Sequence, residues 1–240
     1  MFDQQPFDIR CEWNSAGLRH LAESSDAIVI VDVFSFSTCV DIAVCRGAVV
    51  YPYRWRDATA AAYAQSLGAV LADRRRRSST SGYSLSPASL RHIPAGTRLV
   101  LPSPNGALLS TMAGQLPTFA GCLRNARAIA AALPRFGQRI SIIPAGERWE
   151  DGSLRPAFED LLGAGAIVRY LTGTRSPETA MAEATFLHFE HDVHTCLQQC
   201  GSGKELISRG FAEDVSLAAA LDESDCAPVL TEGAYVRYTA

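Results

Sequence analysis

The apolar residues of this chain fall into two kinds of block. Ile28-Val29-Ile30-Val31 is the first kind: β-branched residues with no polar interruption, ending on Asp32. A strand with one face in water alternates, whereas a strand covered by helices on both faces does not. The block therefore predicts a core strand at 28–32 in a parallel sheet. Similar blocks predict strands at 48–53, 69–72, 98–101, 118–122 and 139–143, with a strand or strand pair at 227–239. The second kind repeats at helical spacing. It predicts helices at 36–46 and 58–67, stopped by Gly47 and Gly68, and at 126–133, 157–171, 176–200 and 203–222. Alternation of strand and helix almost from end to end indicates an α/β fold. With no internal repeat and no linker, residues 1–240 read as one domain with room for two lobes. One stretch breaks the pattern. Residues 73–89, DRRRRSSTSGYSLSPAS, put Arg74 to Arg77 ahead of serines, glycine and proline, and predict a long loop of the mobile or functional kind.

Composition narrows the classes. At 48% hydrophobic and 20% charged, the 240 residues describe an ordinary globular chain with a substantial core. A net charge of −3 supplies no general attraction to nucleic acid. No apolar run is long enough to span a bilayer, and the opening MFDQQPFDIR lacks the basic-then-apolar order of a signal peptide. A cytoplasmic protein without nucleic-acid or membrane partners is the expectation. The seven cysteines are odd in number, irregularly spaced and without a CxxC pair, so most are expected as small core residues.

Candidate chemistry collects at predicted strand ends. Open α/β sheets bind ligands at the carboxyl ends of their strands, and an acid as close to the core as Asp32 needs a cation or a metal. Ser35, Ser37 and Thr38 follow it, and these hydroxyls also suit the cap of the next helix. Two more strand ends carry polar groups: Ser103-Pro104-Asn105-Gly106, and Gly146-Glu147 followed by Glu159-Asp160. Gathered at one sheet edge, they would form a pocket of carboxylates and hydroxyls, a donor set for a hard divalent cation. The SPNG turn enters a helix and offers backbone N–H groups to a phosphate, although a plain strand-to-helix turn reads the same way. Adjacent Glu159 and Asp160 face different directions unless they share a first helical turn, where acids are also simple dipole partners. His188, His191 and His194 recur at every third residue; that series drifts around a helix and reads as a surface face rather than a metal site. The arginine run reads as a solvated face, with closure of one arginine over an anionic substrate as the alternative. GxSxG, Walker A and GxGxxG are absent where they would count. The residues by themselves indicate a divalent-metal enzyme acting on an anionic small molecule.

A resemblance sharpens this. In order and spacing, IVIVDVFSFSTCVDIAVCRGA, GYSLSPASL, LPSPNGALLS, CLRNARAIAAAL, IIPAGERWEDGSLRPAFEDLLGAGAIVRYL and GKELISRGFAEDVSLAAALDESDCAPVL resemble the 2-phosphosulfolactate phosphatase family. These are magnesium-dependent acid phosphatases named for a step in coenzyme M synthesis. The resemblance implies a three-layer α/β/α fold with a mixed, mostly parallel sheet. It aligns Asp32 with the family's aspartate after the first strand, Asn105-Gly106 with its asparagine-glycine turn, and Glu159 and Asp160 with its acidic pair. Gly163 and Gly165 fall in the glycine-containing helix that follows. Two places depart from the family pattern: Ser35 and Phe36 stand where an arginine and a small residue are typical, and Leu85 and Ser89 where an asparagine and an acid flank the loop's Ser-Pro. A missing bidentate arginine weakens anion binding.

The expectation is therefore a Mg2+-dependent phosphatase for a small phosphorylated anion, 2-phosphosulfolactate by resemblance. Asp32, Glu159 and Asp160 are the expected metal ligands, and Asp32 and Glu147 the catalytic pair. Ser37, Thr38, Ser103, Asn105 and Gly106 are expected on the phosphate. The rivals are a phosphatase for another metabolite and a weakened member that only binds a phosphorylated ligand. A homo-oligomer is expected on the general habit of small enzymes.

Overall fold

In the computed structural model, which describes residues 2–54, 57, 59–73 and 82–239, the apolar block at 28–31 is covered on both faces as its pattern requires. The elements of the first half are β1 (Ile9–Cys11), α1 (Asn14–Leu21), β2 (Ala27–Val31), α2 (Phe36–Cys45), β3 (Val49–Tyr53), α3 (Thr59–Ser66), β4 (Val70–Leu71), α4 (Pro87–Leu90), β5 (Arg98–Pro102), α5 (Gly106–Met112), β6 (Thr118–Gly121) and α6 (Ala126–Ala132). The second half adds β7 (Ile140–Pro144), a short ribbon of β8 (Glu147–Arg148) and β9 (Leu154–Arg155), α7 (Phe158–Val168), α8 (Pro177–Phe189), α9 (Val193–Gln199), α10 (Gly201–Ser208), α11 (Ala212–Ala218), β10 (Pro228–Thr231) and β11 (Ala234–Arg237).

Among the described residues the main sheet has nine strands in the order β1-β7-β2-β6-β10-β11-β3-β5-β4. Two parallel runs, β1-β7-β2-β6 and β3-β5-β4, are joined by the antiparallel β10–β11 hairpin. Three antiparallel pairings in succession leave the two runs opposed in direction. The sheet is thus mixed and mostly parallel, in a three-layer α/β/α arrangement. The layers follow from the two-residue period of a strand. Ile28 and Ile30 pack with Leu18, Leu21 and Leu109 of α1 and α5, while Val29 and Val31 pack with Ile129 of α6 and Leu162 and Ile167 of α7. All of these side chains are buried. α5 lies against β2, β3 and α1, which brings the turn at its start to the end of β2.

The structure differs from the periodicity in both late helices and at the amino end, besides adding α4 and the β8–β9 ribbon. The predicted 176–200 helix is two, α8 and α9, interrupted at Glu190 to Asp192; Val193 and Leu197 then restart the apolar face and are buried. The predicted 203–222 helix is also two. Gly210, at a φ of +86° that suits glycine, ends α10 and lets α11 turn back. At the amino end, β1 and α1 form where the pattern gave no element. The arginine run, Arg74 to Arg77, lies outside the described residues. No helix among the described residues is long and apolar enough to cross a membrane. All seven cysteines are free, with Cys11, Cys39, Cys122 and Cys226 buried.

Candidate active site

The turn between β2 and α2 sets the first group. Asp32 is 4% exposed, and its carboxylate accepts two backbone hydrogen bonds: Phe36 N–H donates to Oδ1 at 3.2 Å and Gly106 N–H to Oδ2 at 2.8 Å. The aspartate therefore caps its own helix and also ties the β2 turn to the start of α5. Gly106 has to be glycine for this contact, because a Cβ there would run into the Phe36 ring and stand 2.8 Å from Asp32 Oδ2. Phe36, at a position where the family resemblance has a small residue, is fully buried against that glycine and against Tyr235.

The hydroxyls of the same turn face inward. Ser37 Oγ donates to Ile30 O at 3.1 Å and accepts from Asp32 N–H, and Thr38 Oγ1 donates to Val33 O at 2.8 Å. Their hydroxyl protons hold the turn rather than reach outward. The SPNG turn behaves in the same way: Asn105 N–H donates to Ser103 Oγ at 3.3 Å, and Gly106 N–H is held by Asp32.

Asn105 supplies the most informative atom. Its Nδ2 donates to Glu147 Oε2 at 3.0 Å, while its Oδ1 is buried with no hydrogen-bond partner among the described residues. A buried acceptor without a donor is costly, and in native proteins it marks a missing water, ion or ligand. Glu147 opens the β8–β9 ribbon just beyond β7. Burial pushes its pKa up to about 7, the charges of Asp32 and Glu159 push in the same direction, and the Asn105 amide and Arg155 oppose them.

Asp160, on the first turn of α7, is the keystone of the backbone here. Val33 N–H donates to Oδ1 at 2.7 Å and Gly146 N–H to Oδ2 at 2.8 Å, so one carboxylate holds the turns after β2 and β7 together. Burial raises its pKa well above the ordinary carboxylate value, with Asp32 and Glu159 adding to the shift. Glu159 is 2% exposed, and Cys200 Sγ approaches its Oε2 at 3.5 Å from the start of α10.

Asp32, Glu147, Glu159 and Asp160 are thus within electrostatic reach of one another. The cation that opposes this charge at Glu147 is Arg155, which sequence reasoning did not single out. Its pairing with Glu147 across the β8–β9 ribbon involves two residues on each strand, too few to leave a periodic signal. His188, His191 and His194 straddle the α8–α9 break, and His194 Nε2 lies 3.2 Å from Ser216 Oγ.

The donor set suits a hard cation. Among the described residues no group of three or more His, Cys, Asp or Glu side chains forms a cage by itself. Mg2+ does not require one, since it retains several waters and is held through one or two carboxylates together with substrate phosphate. The unpartnered Asn105 Oδ1 and the excess of buried carboxylate oxygen fit that mode.

The profile of a family described as 2-phosphosulpholactate phosphatase matches residues 15–233. A 2-phosphosulfolactate phosphatase of Methanothermobacter thermautotrophicus is 26% identical over 213 residues, spanning 88% of this chain and 89% of its own. A protein of Gloeobacter violaceus described as "Probable 2-phosphosulfolactate phosphatase" is 33% identical over 72 residues, 30% of each chain.

Proposed function

The chain belongs to the 2-phosphosulfolactate phosphatase family, and from that premise we propose that it is a Mg2+-dependent phosphatase hydrolysing 2-phosphosulfolactate to sulfolactate and phosphate. The observation that carries the reading is the cluster of four interacting carboxylates joined through Glu147 to Asn105, whose buried Oδ1 has no donor among the described residues. Asp32, Glu159 and Asn105 Oδ1 would hold Mg2+, with Asp160 fixing the turns that carry its neighbours. When bound, the ion neutralises phosphoryl oxygens and acidifies a coordinated water. Glu147, with its pKa at about 7, is suited to take the proton of the attacking water near neutral pH. Its Oε2 is held by the Asn105 amide, which fixes the direction from which it acts. Ser37, Thr38, Ser103 and Gly106 contribute by holding Asp32 and the two turns in register with the phosphate.

The test is phosphate release by the purified protein from 2-phosphosulfolactate, 2-phospholactate, phosphoglycolate and phenyl phosphate, with Mg2+ and with EDTA. Turnover of the first that stops in EDTA is the expected result. If every ester stays intact while 2-phosphosulfolactate still raises the melting temperature, the protein binds a phosphorylated ligand and is not a phosphatase.

A further inference from the structure

Arg155 is held firmly, feels the Glu147 charge, and makes no close ion pair among the described residues. Its Nη2 donates to the buried Ser202 Oγ at 3.0 Å, and its guanidinium lies 5.7 Å from the centroid of the Trp149 ring. Arg91, Arg124, Arg139, Arg169 and Arg175 each pair with a carboxylate. Arg155 makes no ion pair within 4 Å among the described residues, although it stands directly across the ribbon from Glu147. Residues paired across an antiparallel ribbon project from the same face, so the guanidinium shares a face with the Glu147 carboxylate. It is half-buried, while the neighbouring Trp149 is 57% exposed, so the guanidinium stands where solute has access.

We propose that Arg155 is the specificity-determining residue of this site and binds a second anionic group of the substrate, a sulfonate or carboxylate on the carbons next to the phosphate ester. The inference rests on the phosphatase reading and assigns to one residue its selectivity for phosphate monoesters that carry another strong anion. A planar guanidinium held by Ser202 and Trp149 presents its remaining N–H donors as a fork to paired anionic oxygens, which a flexible ammonium does not reproduce. It also supplies, from across the β8–β9 ribbon, a positive charge of the kind Ser35 does not provide.

The experiment compares wild type with R155A, R155K and S202A on 2-phosphosulfolactate, 2-phospholactate and phenyl phosphate, beside calorimetric binding of sulfolactate. R155A is expected to lower kcat/KM for 2-phosphosulfolactate about 10- to 100-fold, mainly through KM, the range of a lost charge-assisted hydrogen bond. That loss is expected to exceed the loss on phenyl phosphate about tenfold. R155K should recover only part of it, and S202A should show the same selectivity at about three- to fivefold. If 2-phospholactate follows phenyl phosphate, the bound group is the sulfonate; if it follows 2-phosphosulfolactate, it is the carboxylate. Equal losses on all three esters overturn the proposal. Should wild type hydrolyse none of them, the phosphatase reading fails, and sulfolactate binding decides the inference alone. Binding weakened about tenfold or more in R155A supports it, and equal or absent binding overturns it.

Discussion

Two buried aspartates near α2 show opposite solutions to the same electrostatic problem. Asp41, inside α2, is fully buried, but Arg124 Nε meets its Oδ2 at 3.0 Å and Ser224 Oγ donates to its Oδ1 at 2.6 Å. Burial still outweighs these partners and lifts its pKa to about 6, yet the charge is matched within the chain. That network ties α2 to the turn before α6 and to the segment before β10. Asp32, nine residues earlier, sits among Glu147, Glu159 and Asp160, and its carboxylate accepts from the Phe36 and Gly106 N–H groups. The first site matches its charge with a named cation. The second gathers four carboxylates within electrostatic reach of one another beside an Asn105 amide with one partnered end, an arrangement suited to a cation and an anionic substrate.

Substitutions sharpen the contrast. D32N is expected to lower kcat/KM by roughly 10³-fold or more while the far-UV spectrum stays native, because it removes a charge proposed to hold the cation; steady-state phosphate release measures it. R124A acts on the self-contained site. It leaves Asp41 buried without its cation and is expected to destabilise the fold by about 3–5 kcal/mol in urea unfolding, with kcat of the folded protein retained. G106A drives a Cβ into the Phe36 ring and Asp32, and is expected to cost about 1–3 kcal/mol and to lower activity at the same time.

The smallest effect concerns pH. Glu147 is protonated more readily in the folded protein, at about 7, than in the unfolded chain, at 4.5. Its contribution to stability is therefore fully present below pH 4.5 and is lost as pH rises through 7. In metal-free protein at pH 8, E147Q should be more stable than wild type by on the order of 1–2 kcal/mol by thermal melting. In the wild type kcat/KM should fall as pH drops below about 7, and E147Q should lose that limb along with most of its activity. A stability loss in E147Q at pH 8 would place Glu147 with Asp41, as a structural acid.

Much of this architecture was legible in the chain. The block at 28–31 announced a doubly covered strand, and the acids at the ends of β2 and β7 are together as their positions suggested. β1 was hidden because its middle residue is Arg10, an unlikely strand-core side chain that is 1% exposed only because Ser24 and Ser25 accept from its guanidinium. The direction of the hydroxyls was also hidden. Ser37 and Thr38 look like outward donors until the turn curls back on Ile30 and Val33. Asn105 could be picked out, but not the division of its amide into one partnered and one unpartnered end, which depends on where Glu147 arrives from the opposite parallel run.

The most direct test of the central claim is the melting temperature of EDTA-treated protein as Mg2+ is added, for the wild type and for the D32N/E147Q double variant. A cation that binds only the folded state raises stability by mass action. A concentration-dependent rise is expected in the wild type and is absent from the double variant. A wild-type melting temperature unmoved by about 10 mM Mg2+, with phosphate release persisting in EDTA, would contradict it.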